Sequence, residues 1–541
     1  MSDVKALGKI RAQIMWDRLL AIVEEQAQTL IRTAFSTTVR EAGDLSSGVF
    51  DTEGRMLAQA ITGTPGHVNA MAASVGFFLD KHPIDTLQPG DVLVTNDPWH
   101  GTGHLNDFTV VTPVFHQDNA VALFAATSHI ADVGGLGFGP DGQQVYEEGI
   151  NLPIGYLFRA GEPNTTLLEI LRANVRDPVA AQGDLYSLTA CNKAGTDALL
   201  DMLDEFSLDN LDDVARMIID NSRAAMLDEI RKLPKGEWRY SMQIDGYDEP
   251  VDLVCALRVS DNGIDVSFDG TSSVCRHGIN VPLTYTQAYA SFGVRCVIGN
   301  DIPNNAGSLD VVRVTAPEGS ILNAKRPAAV SARHAIGQML PDVVLGCLEE
   351  PLNGQVPVEG AACLFGPVFL GGRGVIPGSA SETFVLNAFY AGGTGARPSK
   401  DGLSCTAFPS GVRSTPVEIT ENAAPLIMWQ KEYLPDSGGD GEYRGGLGQI
   451  MEFAHADGEA FAASKMFDRI DHPPRGRDGG EAGRPARVYI KSGEKLRGMG
   501  REIIPAGKSM ILETAGGGGR GSPAKRDRAA SADDKKNGLI T

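Results

Sequence analysis

Glycine restricts this chain more than any other residue. Sixty-four of its 541 residues are glycine and thirty are proline. Glycine loses the most backbone freedom on folding, so it is kept where a tight turn or a close backbone approach requires it. Many turns and loops are therefore expected, rather than long helices. The apolar fraction is 42% and the charged fraction 21%, so the glycines sit in an ordinary globular background and not in a disordered one. A length of 541 residues exceeds what one ordinary core organises, and two to four domains are expected.

Charge and cysteine usage exclude several classes. The formal net charge is -20. Such a surface repels phosphate backbones and anionic bilayers, so neither nucleic acid nor membrane is an expected partner. The seven cysteines (Cys191, Cys255, Cys275, Cys296, Cys347, Cys363 and Cys405) are dispersed, with no CxxC pair. They read as reduced thiols, not as a disulfide framework or a zinc ribbon. The stretch MSDVKALGKIRAQ has no apolar signal core, and no run of eighteen apolar residues occurs. A cytoplasmic location is expected.

The first periodic element is a helix over about residues 10–39. Trp16, Leu20, Val23, Ala27, Leu30 and Ala34 form one apolar stripe, and Gly43 permits a turn after it. Residues 45–135 read as short strands joined by loops, with apolar runs at Asp91–Thr95, Val110–Phe115 and Ala120–Thr127. Leu208–Leu233 is a second helix, ended by Pro234-Lys-Gly236. Strand-like alternation follows at Trp238–Ile244, Val251–Val259 and Ile264–Phe268. Beyond residue 365 the chain is glycine-rich, with β-like runs at Ala486–Ile490 and Ser509–Thr514 and a polar tail, Ser522–Thr541. The expected fold is mixed α/β (α+β), multi-domain and loop-rich, with an N-terminal helix and mixed sheets. The expected units are 1–235, a metal-binding α/β domain, 236–375, a central α+β domain, and a glycine-rich β-containing region, 376–541.

Six of the ten histidines lie between His67 and His129. The informative stretch is Asn96-Asp-Pro-Trp-His-Gly-Thr-Gly-His-Leu-Asn-Asp107, followed by Ser128-His-Ile-Ala-Asp132. In an extended strand, His104 and Asp107 would point to opposite faces. A turn brings them together, and Gly101 and Gly103 make such a turn easy. His129 arrives at the end of a strand-like run. Two imidazoles and a carboxylate with open positions are the ligand set of a catalytic Zn, Mn or Fe(II) ion. Such an ion polarises carbonyls and acidifies bound water. Asp44 can add a second carboxylate, and His100 and Asp132 can hydrogen-bond the ligands. Loop histidines beside glycines also serve as backbone partners, and Asp97 and Asp107 are ordinary turn or cap residues. Spacing alone leaves both readings open. His67 reads as structural. Gly516–Gly519 reads as a phosphate-cradling nest or a plain glycine turn. No GxxxxGK[ST] loop and no GxSxG elbow is present, and Cys405 has no local activating feature.

Taken together, the motifs resemble the hydantoinase B/oxoprolinase family over nearly the whole chain. The resemblance is carried by Arg40-Glu-Ala-Gly-Asp-Leu-Ser46, Asn96-Asp-Pro…Gly-His104-Leu-Asn-Asp107, His129 and Tyr146-Glu-Glu-Gly149. Ile302-Pro-Asn-Asn-Ala-Gly307, Ala316-Pro-Glu-Gly-Ser…Leu-Asn323, Asp436–Gly448 and Gly516–Gly519 complete it. It implies a divalent metal (Zn, Mn or Fe) on Asp44, His104, Asp107 and His129, with His100, Asp132 and Glu148 in support. It also implies a hetero-oligomer with a hydantoinase A-like ATPase subunit, which uses ATP and Mg to phosphorylate the oxygen of a small cyclic amide. The chain would then complete ring opening as part of an amidohydrolase of the hydantoin, lactam or oxoproline type. The alternative is a subunit of an ATP-dependent ketone (acetone or acetophenone) carboxylase. A further alternative is a scaffold for the ATPase with no chemistry of its own.

Overall fold

The computed structural model describes residues 2–541. Seven strands form an antiparallel sheet: β1 (Leu45–Phe50), β2 (Met56–Gln59), β3 (Val92–Thr95), β4 (Asp107–His116), β5 (Asn119–His129), β6 (Gly155–Arg159) and β7 (Glu162–Pro163). Their spatial order is β2-β1-β5-β4-β3-β6-β7. Both faces are covered, which is why β4 and β5 are buried over most of their length. Alternate side chains feed opposite cores. Val111, Leu123 and Ala125 meet the helix Pro65–Lys81, while Val110, Phe124 and Ala126 meet the helices Ser2–Thr33 and Pro178–Phe206.

Helices of 32, 29 and 20 residues are present at Ser2–Thr33, Pro178–Phe206 and Asp212–Arg231. This corrects the expectation of few long helices. Glycine does not exclude a helix where the missing Cβ is itself used. Gly195 lies against the Phe124 ring, which an added Cβ would overlap. That close approach offsets its propensity cost of about 1 kcal/mol. The helix predicted over 10–39 stops at Thr33, because the Asp184 carboxylate accepts the Phe35 and Ser36 N–H groups at 2.7 and 3.2 Å. The region read as strands and loops also contains the helix Pro65–Lys81, begun by Pro65 in its first turn.

A second sheet has the order β11-β10-β9-β8, from β8 (Gly236–Ile244), β9 (Val251–Ser260), β10 (Gly263–Ser267) and β11 (Val312–Thr315). Its first two strands alternate buried with exposed side chains, the pattern of a sheet with one wet face. The helices Leu283–Arg295 and Leu340–Leu348 belong to the same body, and one apolar core runs from Phe138 to Ala515. Two further four-stranded sheets lie between Val368 and Glu513.

The late glycines form neither a nest nor isolated turns. Stretches around residues 392–395, 437–448, 476–483 and 516–519 lie backbone against backbone, so that a Cβ on Gly393, Gly446 or Gly517 would overlap a neighbouring chain segment. The N–H groups of Gly516, Gly517, Gly518 and Gly519 go to Arg484, Gly446, Glu359 and Glu481 carbonyls at 2.9–3.1 Å. No donor remains there for phosphate. The polar tail wraps rather than frays: its helix Arg528–Lys536 buries Asp534 against Arg444 and Arg526. None of the helices among the described residues is long and apolar enough to cross a membrane.

Candidate metal centre

One end of the seven-stranded sheet gathers the site. Asp107 opens β4 and His129 closes β5, and the two are directly paired across the strands. Leu45 pairs with Ser128 on the other side, which puts Asp44 next to His129; the His129 N–H donates to the Asp44 carbonyl at 3.3 Å. The loop 96–106 delivers His104. Asn96 anchors it by donating to the Leu105 and Ile150 carbonyls at 2.7 and 2.9 Å and accepting from Leu152 N–H at 2.6 Å. Gly103, at φ +99°, leaves the space that the Arg333 side chain occupies.

His104, Asp107 and His129 are buried and offer three donor atoms within 4.8 Å of one another. Asp107 Oδ1 lies 2.6 Å from His104 Nε2 and 3.3 Å from His129 Nδ1. His104 Nδ1 lies 2.8 Å from the Ser331 carbonyl oxygen, which can only accept, so the proton belongs on Nδ1. Burial, then the nearby Arg333 guanidinium, push the His104 pKa down to about 3. The ring is therefore neutral, and its Nε2 lone pair faces a carboxylate oxygen. Two acceptors at hydrogen-bonding distance repel unless a cation lies between them. The donor set thus fits a divalent ion, with the supporting carbonyl that metal-bound histidines commonly use.

The other carboxylate oxygen of Asp107 is fully committed. Oδ2 accepts from Thr102 Oγ1 at 2.6 Å and faces His67 Nε2 at 2.9 Å and the buried Arg333 guanidinium. Burial alone would raise the Asp107 pKa, but its charged neighbours, His67 and Arg333 among them, hold it well below the usual carboxylate range. Burial likewise works to lower His67, and the charges of Asp107 and Asp44 outweigh it, leaving a net rise. Arg333 stacks over Tyr285 at 4.0 Å and donates through Nε to the Thr102 carbonyl at 2.7 Å. The cavity there measures about 20 Å³, room for one ion or water.

The predicted residues are placed unequally. Asp44 lines this cavity, but its Oδ1 accepts from Thr64 Oγ1 at 3.0 Å and faces His67 Nδ1 at 3.5 Å; it lies outside the compact three-donor set. His100 is not brought to the ligands. Its ring is half exposed, 3.7 Å from Asp97 and edge-on to Phe77, because the loop turns it outward one turn before His104. Asp132 is also spent elsewhere, in an ion pair with Arg176 and a bond from Gly134 N–H. Glu148 lies one remove from His104: its Oε1 accepts the Val330 and Ser331 N–H groups, both at 2.7 Å, and so fixes the backbone of the residue whose carbonyl faces His104. His67, Arg333 and His334 line the cavity, and sequence reasoning misses them as site residues. The only signal is the His67 position just after a helix-starting Pro65; Arg333 and His334 have none. Burial pushes the Cys405 thiol up to about 12, so it stays an inert thiol.

A family model described as hydantoinase B/oxoprolinase matches residues 8–523. A Pseudomonas sp. (strain NS671) protein, provisionally named as the B component of a D-/L-hydantoinase, is 27% identical over 100% of this chain and 94% of its own length. The 5-oxoprolinase 1 of Arabidopsis thaliana is 28% identical over 95% of this chain, which spans only 42% of the plant protein. Among solved structures, the ATP-dependent caprolactamase from Pseudomonas jessenii superposes with a TM-score of 0.86 at 21% identity, covering 98% of this chain and 94% of the other. A nucleotide-free acetone carboxylase structure gives 0.88 at 18% identity, covering 100% and 79%. These two likenesses are likenesses of fold.

Proposed function

The chain belongs to the hydantoinase B/oxoprolinase family, and from that membership we propose that it is the metal-containing subunit of an ATP-dependent cyclic-amide hydrolase. A hydantoinase A-like ATPase subunit phosphorylates the amide oxygen of a hydantoin, lactam or oxoproline-type substrate, and this chain completes ring opening. The observation that carries the reading is the buried donor set itself: His104 Nε2 and His129 Nδ1 lie 2.6 and 3.3 Å from one Asp107 carboxylate oxygen, with His104 Nδ1 held by the Ser331 carbonyl. His104, Asp107 and His129 would hold a Zn, Mn or Fe ion, with Asp44 as the adjoining carboxylate. When bound, such an ion supplies Lewis acidity and acidifies a water molecule.

The protein groups have separable roles. The Ser331 carbonyl fixes the His104 tautomer. Thr102, His67 and Arg333 occupy Asp107 Oδ2, which leaves Oδ1 turned toward both imidazoles. Phe138, Tyr285 and Phe389 wall the cavity and keep bulk water from it, which strengthens every charge interaction inside. An unactivated amide carbon is a poor electrophile; O-phosphorylation gives it a leaving group, and placement at a preorganised site lowers the remaining barrier. The named hydantoinase and oxoprolinase relatives support amide hydrolysis over ketone carboxylation.

The test is metal content and turnover with the ATPase partner present, for wild type and His104→Ala. One metal per chain and ring-opened product in the wild type are expected. His104→Ala should lose both while ATP consumption by the partner persists in part. Full activity without metal would leave only a scaffold role, and a bicarbonate requirement for ATP turnover would move the chain to the carboxylases.

A further inference from the structure

The two imidazoles of the metal centre are backed by different kinds of group. His104 Nδ1 meets the Ser331 backbone carbonyl at 2.8 Å, which is fixed as an acceptor. His129 Nε2 meets the side-chain amide of Asn387 at 3.5 Å, which can present either a donor or an acceptor. Asn387 stands 258 residues later in the chain. It ends the strand Phe384–Asn387, pairs across to Val368 and is 5% exposed. The next residues pin that strand end: Ala388 N–H donates to the Pro367 carbonyl at 3.1 Å, and Phe389 N–H donates to Thr415 Oγ1 at 2.9 Å.

The other ring nitrogen of His129, Nδ1, faces Asp107 Oδ1 at 3.3 Å. A neutral imidazole carries one N–H, so the group behind Nε2 decides what Nδ1 can do. With the amide N–H turned to Nε2, that nitrogen accepts, the ring proton sits on Nδ1, and Nδ1–H donates to Asp107. No lone pair is then left for an ion. With the amide carbonyl turned to Nε2, the ring proton sits on Nε2, and the Nδ1 lone pair faces the space shared with Asp107 and His104. A metal-bound histidine commonly donates its second N–H to an oxygen, and Asn387 Oδ1 is the oxygen this amide supplies.

Nothing else holds the amide in either orientation. Among the described residues, its Nδ2 makes only the contact with His129, and its Oδ1 makes no hydrogen bond. A half turn about the Cβ–Cγ bond exchanges the two atoms, keeps the shape of the side chain and breaks no other bond.

We propose that Asn387 is the positioning residue for His129: its side-chain carbonyl takes the Nε2–H and leaves the Nδ1 lone pair for the ion. This role rests on the proposed metal-containing function.

The experiment is titration of the full-length, metal-stripped protein with Zn(II) in competition with a chromophoric chelator, for wild type, Asn387→Leu and Asn387→Asp. Leucine has a similar size and no acceptor, and should weaken zinc binding about 10–100-fold. Aspartate keeps the acceptor and has no N–H, so its affinity should equal or exceed that of wild type. Thermal unfolding in excess chelator reads the fold separately. A purely structural role would lower both midpoints without separating the two zinc affinities. Unchanged affinity in Asn387→Leu, or a loss in Asn387→Asp as large as that in Asn387→Leu, would overturn the assignment. Should Asn387→Leu fail to fold, Asn387→Asp decides alone, and a tenfold loss there overturns it. Wild-type protein that binds no zinc defeats the proposed function and this role together; zinc bound equally by wild type and Asn387→Leu defeats this role only.

Discussion

The Ser331 carbonyl oxygen and His104 Nδ1 meet at 2.8 Å across 227 residues of chain, and this one bond decides which face of the imidazole is free. A backbone carbonyl cannot be removed by substitution, but the Glu148 carboxyl that holds the N–H of the same residue can. Glu148→Ala should weaken metal binding about 10–100-fold, the usual effect of losing a group that orients a ligand. Glu148→Gln keeps the acceptor oxygen and should stay within a few-fold of wild type. Competition with a chromophoric chelator reads both, and equal losses would mean the acceptor is not what matters.

Glu148 also makes stability depend on pH. Burial raises its pKa from 4.5 to about 8. Between those values the folded protein holds a proton that the unfolded chain has released, so this contribution is complete below pH 4.5 and is lost as pH rises through 8. Glu148→Gln cannot ionise. Its stability relative to wild type should therefore grow between pH 5 and 9, by an amount on the order of a few kcal/mol. Denaturant titrations at several pH values measure it, and a pH-independent difference would refute the buried neutral acid.

Arg333 and Asp107 form a buried ion pair, and an added metal would use the same carboxylate. Arg333→Met should destabilise the metal-free protein by about 3–5 kcal/mol, the cost of stranding a buried charge. A divalent ion would then neutralise Asp107 in its place. Thermal unfolding with chelator and with Mn should show a larger metal-induced rise in Tm for the variant than for wild type. Equal rises would separate Arg333 from the metal site.

Two glycines should respond differently to alanine. A Cβ on Gly517 would fall on the Thr394 carbonyl and the Gly395 nitrogen, both backbone and unable to yield. Gly507 has open space around it and only a positive φ of +71°. Gly517→Ala should cost more than about 4 kcal/mol, and Gly507→Ala roughly 1 kcal/mol. Similar unfolding midpoints for the two variants would contradict the backbone-packed array.

Local pattern makes part of this protein legible. The alternation in β8 and β9 is readable because one sheet face is wet, and most residues on that face are polar. The turn between His104 and Asp107 follows from two glycines and from the geometry of an odd spacing. Donor chemistry belongs to side chains, so the imidazoles and carboxylates of the centre can be named from the sequence. Other features depend on groups distant in the chain. His67 reads as structural because its helix start carries no ligand spacing, yet Asp107 Oδ2 lies 2.9 Å from it. Nothing near Arg333 or Ser331 in sequence announces a partner 226 or 227 residues away. The late glycines mislead for a related reason: a turn and a close backbone contact both demand a missing Cβ, and only the neighbouring segments distinguish them. The sequence by itself therefore determined which atoms can hold an ion. Tertiary structure alone decided the tautomer, the charge around the shared carboxylate and the size of the cavity, because each is set by what distant segments pack against.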